Sequence, residues 1–378
     1  MQFRDLQRQY QMLKSEVDQE IREVLVETNF ISGKQVSELE EALAAYVGVK
    51  HCITCGNGTD ALVLALMVWE IQAGDAVFVP DFTFFASGEA PASVGATPVF
   101  VDVEEDTFNM SAASLEKAIL KVTKEGKLTP KVVIAVDLFG QPAAYAEIRK
   151  VAEKYGLWIL EDGAQGFGGR IGEKMACSFG DISTTSFFPA KPLGCYGDGG
   201  AVFTDREDWA ALLKSYRIHG KGDDKYDNVR IGVNSRLDTI QAAILKVKLK
   251  ALKSYELEDM DRIAGRYTEA LDGIVKVPRV NKGFFSSWAQ YSILLKNKEE
   301  RDGLHVYLDR QGIPTAVYYP RPMSRQKAFQ RMDCRKTGLR VTESLCQRVL
   351  ALPIHPYMEE EEQDEVISKI KEYVTALR

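Results

Sequence analysis

The run SFFPAKPLGCYGDGG (186–200) sets a single lysine, Lys191, between an aromatic strand end and a glycine-rich loop. On a turn such a lysine is an ordinary solvated cation. At a strand end in apolar surroundings its ammonium is disfavoured, and the neutral amine becomes a usable nucleophile. Other segments offer groups that could act with it. LWILEDGAQGFGG carries Asp162 at the end of a very apolar run, with Gln165 three residues on. A carboxylate there is costly unless a cation pairs with it, and it could equally be a helix cap or a plain salt bridge. GNGTDAL places Gly56, Gly58 and Thr59 ahead of a helix starting near Asp60. The bare N–H groups of such a helix start suit a phosphate, although Asp60 could simply be a cap. In DFTFFASG, Phe84 and Phe85 stand at another strand exit. Either could be core, and either could give a flat ring a face to stack upon. Ser186, inside the opening run, adds a hydroxyl.

Taken together these groups form one constellation: a phosphate cradle, an aromatic face, a buried aspartate and an activated lysine. That constellation describes pyridoxal phosphate (PLP) chemistry, in which a lysine forms a Schiff base and an aspartate keeps the pyridine nitrogen protonated. The remaining motifs point elsewhere or nowhere. HCITC (51–55) holds a C-x-x-C, but no second ligand pair follows at zinc-like spacing, so Cys52 and Cys55 read as buried thiols and no metal is expected. His219 in YRIHGKG could lie near the active site or simply end a helix, and the second is the expectation. No G-x-G-x-x-G follows any strand, which argues against a nucleotide-dependent oxidoreductase.

The elements that must carry this constellation are legible as apolar runs: 51–55, 76–80, 97–103, 131–139, 157–162, 182–188 and 200–205. Most are continuously apolar, which suits strands covered on both faces. Helix-like segments separate several of them, so the pattern predicts an α/β fold with a mostly parallel seven-stranded sheet and ligands at its carboxyl edge. Two amphipathic helices precede it between 12 and 47, and one long helical region begins at about 235. Strand-like SSWAQYSILLK and TAVYYP follow, then an acidic helical tail in which Glu359–Glu362 reads as a solvated helix start. The expected division is a large PLP-binding domain at 1–245 and a small C-terminal α+β domain at 246–378. A net charge of −6 argues against nucleic acid as a partner. The polar N-terminus does not resemble a signal peptide and no run of 18 apolar residues occurs, so no membrane partner and a cytoplasmic location are expected.

The chain resembles the DegT/DnrJ/EryC1/StrS family of PLP-dependent nucleotide-sugar aminotransferases, on GNGTDAL, EDGAQGFGG, SFFPAKPLGCYGDGG and VRIGVNSRLDT and from FRDLQRQY to ALPIHPYM. The resemblance implies the fold type I, aspartate aminotransferase-like architecture. It implies that Lys191 carries the cofactor and shuttles protons, that Asp162 binds the pyridine nitrogen, and that Gln165 lies near the ring hydroxyl. Phe84 would stack on the ring, and Gly58, Thr59 and Ser186 would hold the phosphate. Asn234 would cross a homodimer interface to the neighbour's phosphate, and Arg236 would enter the neighbour's site; from the residues alone, Asn234 and Ser235 could equally be helix caps. Within the family the likeness is to enzymes that aminate UDP-2-acetamido-2-deoxy-3-oxo-D-glucuronate, with L-glutamate as donor and ping-pong kinetics. Tyr319 matches a sugar-contacting tyrosine of those enzymes, but Tyr318 stands where they have histidine. A tyrosine offers a carboxylate only a neutral hydrogen bond, which leaves Arg236 as the charged partner. The alternative substrate is a dTDP-linked 3-oxo-6-deoxyhexose. The competing classes are a sugar dehydratase of the same fold, which would have histidine in place of Lys191, and a non-catalytic regulator.

Overall fold

The computed structural model describes residues 1–224, 226–334 and 337–377. Its centre is a seven-stranded sheet in the spatial order His51–Cys55, Gly200–Thr204, Ile182–Ser186, Trp158–Asp162, Thr129–Val136, Asp75–Pro80, Thr97–Val101. Only Gly200–Thr204 runs against its neighbours. All seven predicted strands are present.

Side chains alternate across the pleat, and each face has its own core. On one face Ala76, Phe78, Val99, Val133 and Ala135 pack against Leu115, Ile119 and Val122 of helix Ala112–Glu125 and Ile148 of helix Tyr145–Tyr155. On the other, Val77, Val79, Val132 and Ile134 meet Leu62, Leu64 and Leu66 of helix Gly58–Val68. Burying each such side chain contributes about 1.5–3 kcal/mol. This two-sided covering is why the strands read as unbroken apolar runs.

Because six strands point the same way, the segments after Cys55, Pro80, Val136, Asp162 and Ser186 all emerge at one edge. Gly200, at the start of the antiparallel strand, pairs there with both Cys55 and Ser186.

The helical region expected from 235 begins at Thr239 and runs through a π-helical stretch, Leu252–Glu256, to Leu271. Helix Leu6–Glu27 packs against it, burying Leu13 and Val17 on Ile244 and Val247. A separate core unites Met260, Tyr267 and Leu271 of that region with Tyr291, Leu304, Leu352 and Ile370. Tyr291–Leu294 is the strand expected in SSWAQYSILLK, and it pairs antiparallel with Val349–Leu352. TAVYYP is not a strand. Ala316 alone bridges to Ala351, because Pro314 and Pro320 flank the segment and prolines cannot donate to a ladder. The acidic tail begins as expected: Glu359 and Glu362 close a capping box at the start of helix Glu360–Ala376, and Glu362 also pairs with Arg8 at 2.7 Å. All six cysteines are buried, and burial pushes the Cys55 thiol up to about 12.

Candidate active site

Asp162 ends its strand only 6 % exposed. Burial raises its pKa, and three neighbours pull it back down: the Ser87 hydroxyl, the charge of Lys191 and the Ala164 amide. Ser87 Oγ donates to Asp162 Oδ2 at 2.7 Å, Ala164 N reaches Oδ1 at 3.3 Å, and Thr83 Oγ1 stands 3.1 Å from Ser87 Oγ. Lys191, half-buried, has its pKa lowered, first by burial and then by Arg4, against the opposing pull of Asp162. Its Nζ lies 6.0 Å from the ring centre of Phe84. Phe84 is exposed, while Phe85 turns inward onto Phe329 at 5.3 Å. Of the two adjacent aromatics, only Phe84 can offer a face to a ligand.

Gln165 is buried and committed at both ends. Its Oε1 accepts from Phe139 N at 2.7 Å, and its Nε2 donates to the Tyr319 hydroxyl at 3.1 Å. Tyr319 in turn lies 5.9 Å from Phe82 and 6.4 Å from Phe84, ring to ring. Tyr318 lies beside it and meets Phe3 edge-on at 6.2 Å.

Helix Gly58–Val68 starts two residues before the expected position. Its cap is Asn57, whose side chain accepts from Asp60 N at 2.8 Å. Asp60 is not the cap; it accepts from Ser235 Oγ at 2.6 Å, and Ser235 Oγ also receives Gly56 N at 2.8 Å. Ser235 therefore ties loop to helix rather than capping its own helix. A Cβ at Gly58 would lie 2.6 Å from Ser186 Cβ, so the helix start presses directly on the strand end. The first-turn N–H groups have no intrahelical acceptor, and the Thr59 and Ser186 hydroxyls stand beside them. That donor set, with a buried carboxylate and an amine at the same sheet edge, fits the phosphate, ring nitrogen and aldehyde carbon of PLP.

Asn234 and Arg236 are exposed and lie outside this group. Arg236 lines a cavity of about 920 Å³ together with Ser32, His219, Lys221 and Arg230. His219 thus borders a basic cavity, in a left-handed conformation with φ 67°, rather than merely ending a helix. The sequence reading missed Ser87 and Thr83. A serine in the first turn of helix Phe85–Ser93 carries no local signal, because only the fold brings it to Asp162.

The family model for DegT/DnrJ/EryC1/StrS aminotransferases matches residues 11–371. The chain belongs to the DegT/DnrJ/EryC1/StrS aminotransferase family. Among family members it is 39% identical, over 95% of this chain and 96% of the other, to UDP-2-acetamido-2-deoxy-3-oxo-D-glucuronate aminotransferase of Pseudomonas aeruginosa. It is also 39% identical, over 97% and 96%, to UDP-N-acetyl-3-dehydro-alpha-D-glucosamine 3-aminotransferase of Acidithiobacillus ferrooxidans. A solved DegT/DnrJ/EryC1/StrS aminotransferase from Brucella abortus is 50% identical with a TM-score of 0.96, covering 99% of both chains. NtdA of Bacillus subtilis, solved with bound cofactor PMP, is 27% identical with a TM-score of 0.85, covering 96% of this chain and 82% of that one. The architecture is accordingly the α/β fold type I of these aminotransferases.

Proposed function

We propose that this chain is a PLP-dependent aminotransferase that converts the 3-oxo group of UDP-2-acetamido-2-deoxy-3-oxo-D-glucuronate to an amine, with L-glutamate as donor. The observation that carries the reading is buried Asp162 and half-buried Lys191 at the sheet edge, each acting on the other's charge, beside the pressed Gly58–Ser186 junction. When bound, PLP supplies a carbon that takes up amino groups and a ring that accepts electrons from an adjacent carbanion.

The residues do the rest. Lys191 Nζ, whose ammonium form is disfavoured by burial, takes a proton from the donor's α-carbon and returns one in the second half-reaction. Asp162 holds the ring nitrogen's proton, and the Ser87 hydrogen bond favours the ionised form of that carboxylate and aims it. Phe84 flanks the ring, Gln165 fixes Tyr319 beside it, and Gly58, Thr59 and Ser186 hold the phosphate. One site serves donor and acceptor in turn, which makes the kinetics ping-pong.

Asn234 and Arg236 act in the site of a second copy, so the enzyme is a homodimer with composite sites. Support comes from the surface around them: Phe30, Ile31, Val229 and Ile231 are all exposed, Ile231 at 89 %, an apolar surface beside the basic cavity. Arg236 and Tyr318 contact the sugar and Tyr319 completes that wall. The chain divides at 245/246; the separate core around Tyr267 and Tyr291 supports this, while Met323, Phe329 and Leu345 pack instead against the large sheet. Among the described residues no helix is long and apolar enough to cross a membrane, which accords with a cytoplasmic enzyme.

The 39% identities to enzymes for a hexuronate and for a glucosamine leave the sugar's C6 group as the point to test, with a dTDP-linked 3-oxo-6-deoxyhexose as the alternative. UDP- and dTDP-linked 3-oxo sugars, each with and without the C6 carboxylate, are offered to the enzyme with L-glutamate. Preference for an uncharged C6 overturns the hexuronate assignment. A violet absorption band in the purified protein, absent from Lys191→Ala, checks the cofactor; a protein still colourless after PLP is added sinks the whole reading.

A further inference from the structure

Arg4 lies in FRDLQRQY, a run the site so far leaves unused. Its Nη2 donates to the carbonyl oxygen of Lys191 at 3.1 Å, across 187 residues of chain. Its Nη1 is shut off from solvent and has no hydrogen-bond partner. The segment that holds it is pinned on three sides. Phe3 O accepts from Ile354 N at 3.2 Å, the Phe3 ring meets Tyr318, and Asp5 caps helix Leu6–Glu27 through Arg8 N at 2.8 Å. Burial lowers the pKa of the guanidinium, and the charges of Glu256 and the Tyr357 hydroxyl pull it back up. Glu256 Oε1 is already taken by Gln9 Nε2 at 2.7 Å and by Tyr357 at 2.6 Å. Lys248 and His355 adjoin the same charge from helix Thr239–Ala251 and the segment after Leu352, and burial with Arg4's help lowers Lys248 to about 8 and His355 to about 4. At the Lys191 amine the charge of Asp162 favours the proton and that of Arg4 opposes it.

We propose that Arg4 is a positioning residue for Lys191: one arm of its guanidinium fixes the lysine's main chain, and its incompletely offset charge disfavours a second cation at the Lys191 amine. A guanidinium cannot relieve this crowding by losing its own proton, so the neighbouring amine yields instead. This rests on Lys191 being the reacting amine, but the test reads the amine without turnover. The full-length chain, freed of cofactor, is treated with an amine-selective acylating reagent across about pH 6 to 11, and the Lys191 peptide is quantified by mass spectrometry. Only the neutral amine reacts, so the midpoint reports its titration. Arg4→Gln moves the midpoint up, on the order of one pH unit, and Arg4→Lys, which keeps the charge, stays with the parent. Glu256→Gln, which removes the offsetting acid and leaves Arg4 in place, moves it down. An unmoved midpoint in folded Arg4→Gln, a shift in Arg4→Lys equal to that in Arg4→Gln, or an unmoved or raised midpoint in Glu256→Gln overturns the proposal. If Arg4→Gln does not fold, Glu256→Gln decides alone.

Discussion

Removing the Ser87 hydroxyl isolates the strongest pull toward the ionised form of Asp162. The carboxylate is 6 % exposed, and burial pushes its pKa up; Ser87, 2.7 Å away, is the largest force pulling it down. A hydrogen bond to a charged group contributes about 1.5–3 kcal/mol. At about 1.4 kcal/mol per pH unit, Ser87→Ala raises the Asp162 pKa by roughly one to two units. The ionised carboxylate is the form that holds a ring proton, so the acid limb of the kcat/KM–pH profile moves up by the same interval. Thr83→Val, one hydrogen bond further out, moves it less in the same direction. Stability carries an independent sign. A carboxyl whose folded pKa is raised stabilises the fold fully below its unfolded pKa and loses that contribution as pH rises through its folded pKa. The cofactor-free Ser87→Ala variant therefore melts close to the parent at low pH, where Asp162 is protonated in both. It falls behind as pH rises, by about 2–3 °C for ~2 kcal/mol in a chain of this length. An acid limb unmoved in a folded Ser87→Ala protein refutes the assignment of Ser87 as the group that holds the charge.

Three further outcomes are expected. Gly58→Ala drives a Cβ to 2.6 Å from Ser186 Cβ and 3.3 Å from Ser186 Cα, so helix and strand must part; PLP affinity, measured by equilibrium titration, drops at least about tenfold, or ~1.4 kcal/mol. Tyr319→Phe keeps the ring contacts but leaves Gln165 Nε2 without its acceptor; kcat/KM falls about 10- to 100-fold with the melting curve little changed, and Gln165→Ala adds less in that background than alone. Lys191→Ala and Arg236→Ala, each of low activity alone, regain about a quarter of parental activity when mixed and re-equilibrated as dimers, because half the dimers are mixed and each holds one whole site; no regain places Arg236 in its own chain's site.

Much of this was readable from the residues for a physical reason. Strands covered on both faces cannot alternate, so the buried stretches 76–80 and 132–136 announce themselves as unbroken apolar runs. A parallel sheet then delivers the residues after each run to one edge, whatever the loops contain. The reading failed where burial did not decide the conformation. TAVYYP has the composition of a strand, yet its flanking prolines leave room for a single bridge. Asp60 has the composition of a cap, yet Asn57 precedes it and takes that role, which frees Asp60 for Ser235.

The groups that tune the site were silent for a different reason, which is separation along the chain. Periodicity reports what lies within a turn or two, whereas Ser87 and Asp162 are 75 residues apart, Gln165 and Tyr319 are 154 apart, and Arg4 and Lys191 are 187 apart. Lys191 and Asp162 could be singled out because a charge at the end of an apolar run is anomalous where it stands. Ser87 and Arg4 are not anomalous: a serine in a first helical turn and an arginine near a polar terminus are what solvent exposure would also produce. Their meaning comes from what they contact, a buried carboxylate in one case and the main-chain carbonyl of Lys191 in the other. The positions of Lys191 and Asp162 at the ends of apolar runs are thus local facts of the sequence. The shifts in their proton affinities belong to the fold, and substitutions such as Ser87→Ala and Arg4→Gln are expected to change them while leaving Lys191 and Asp162 in place.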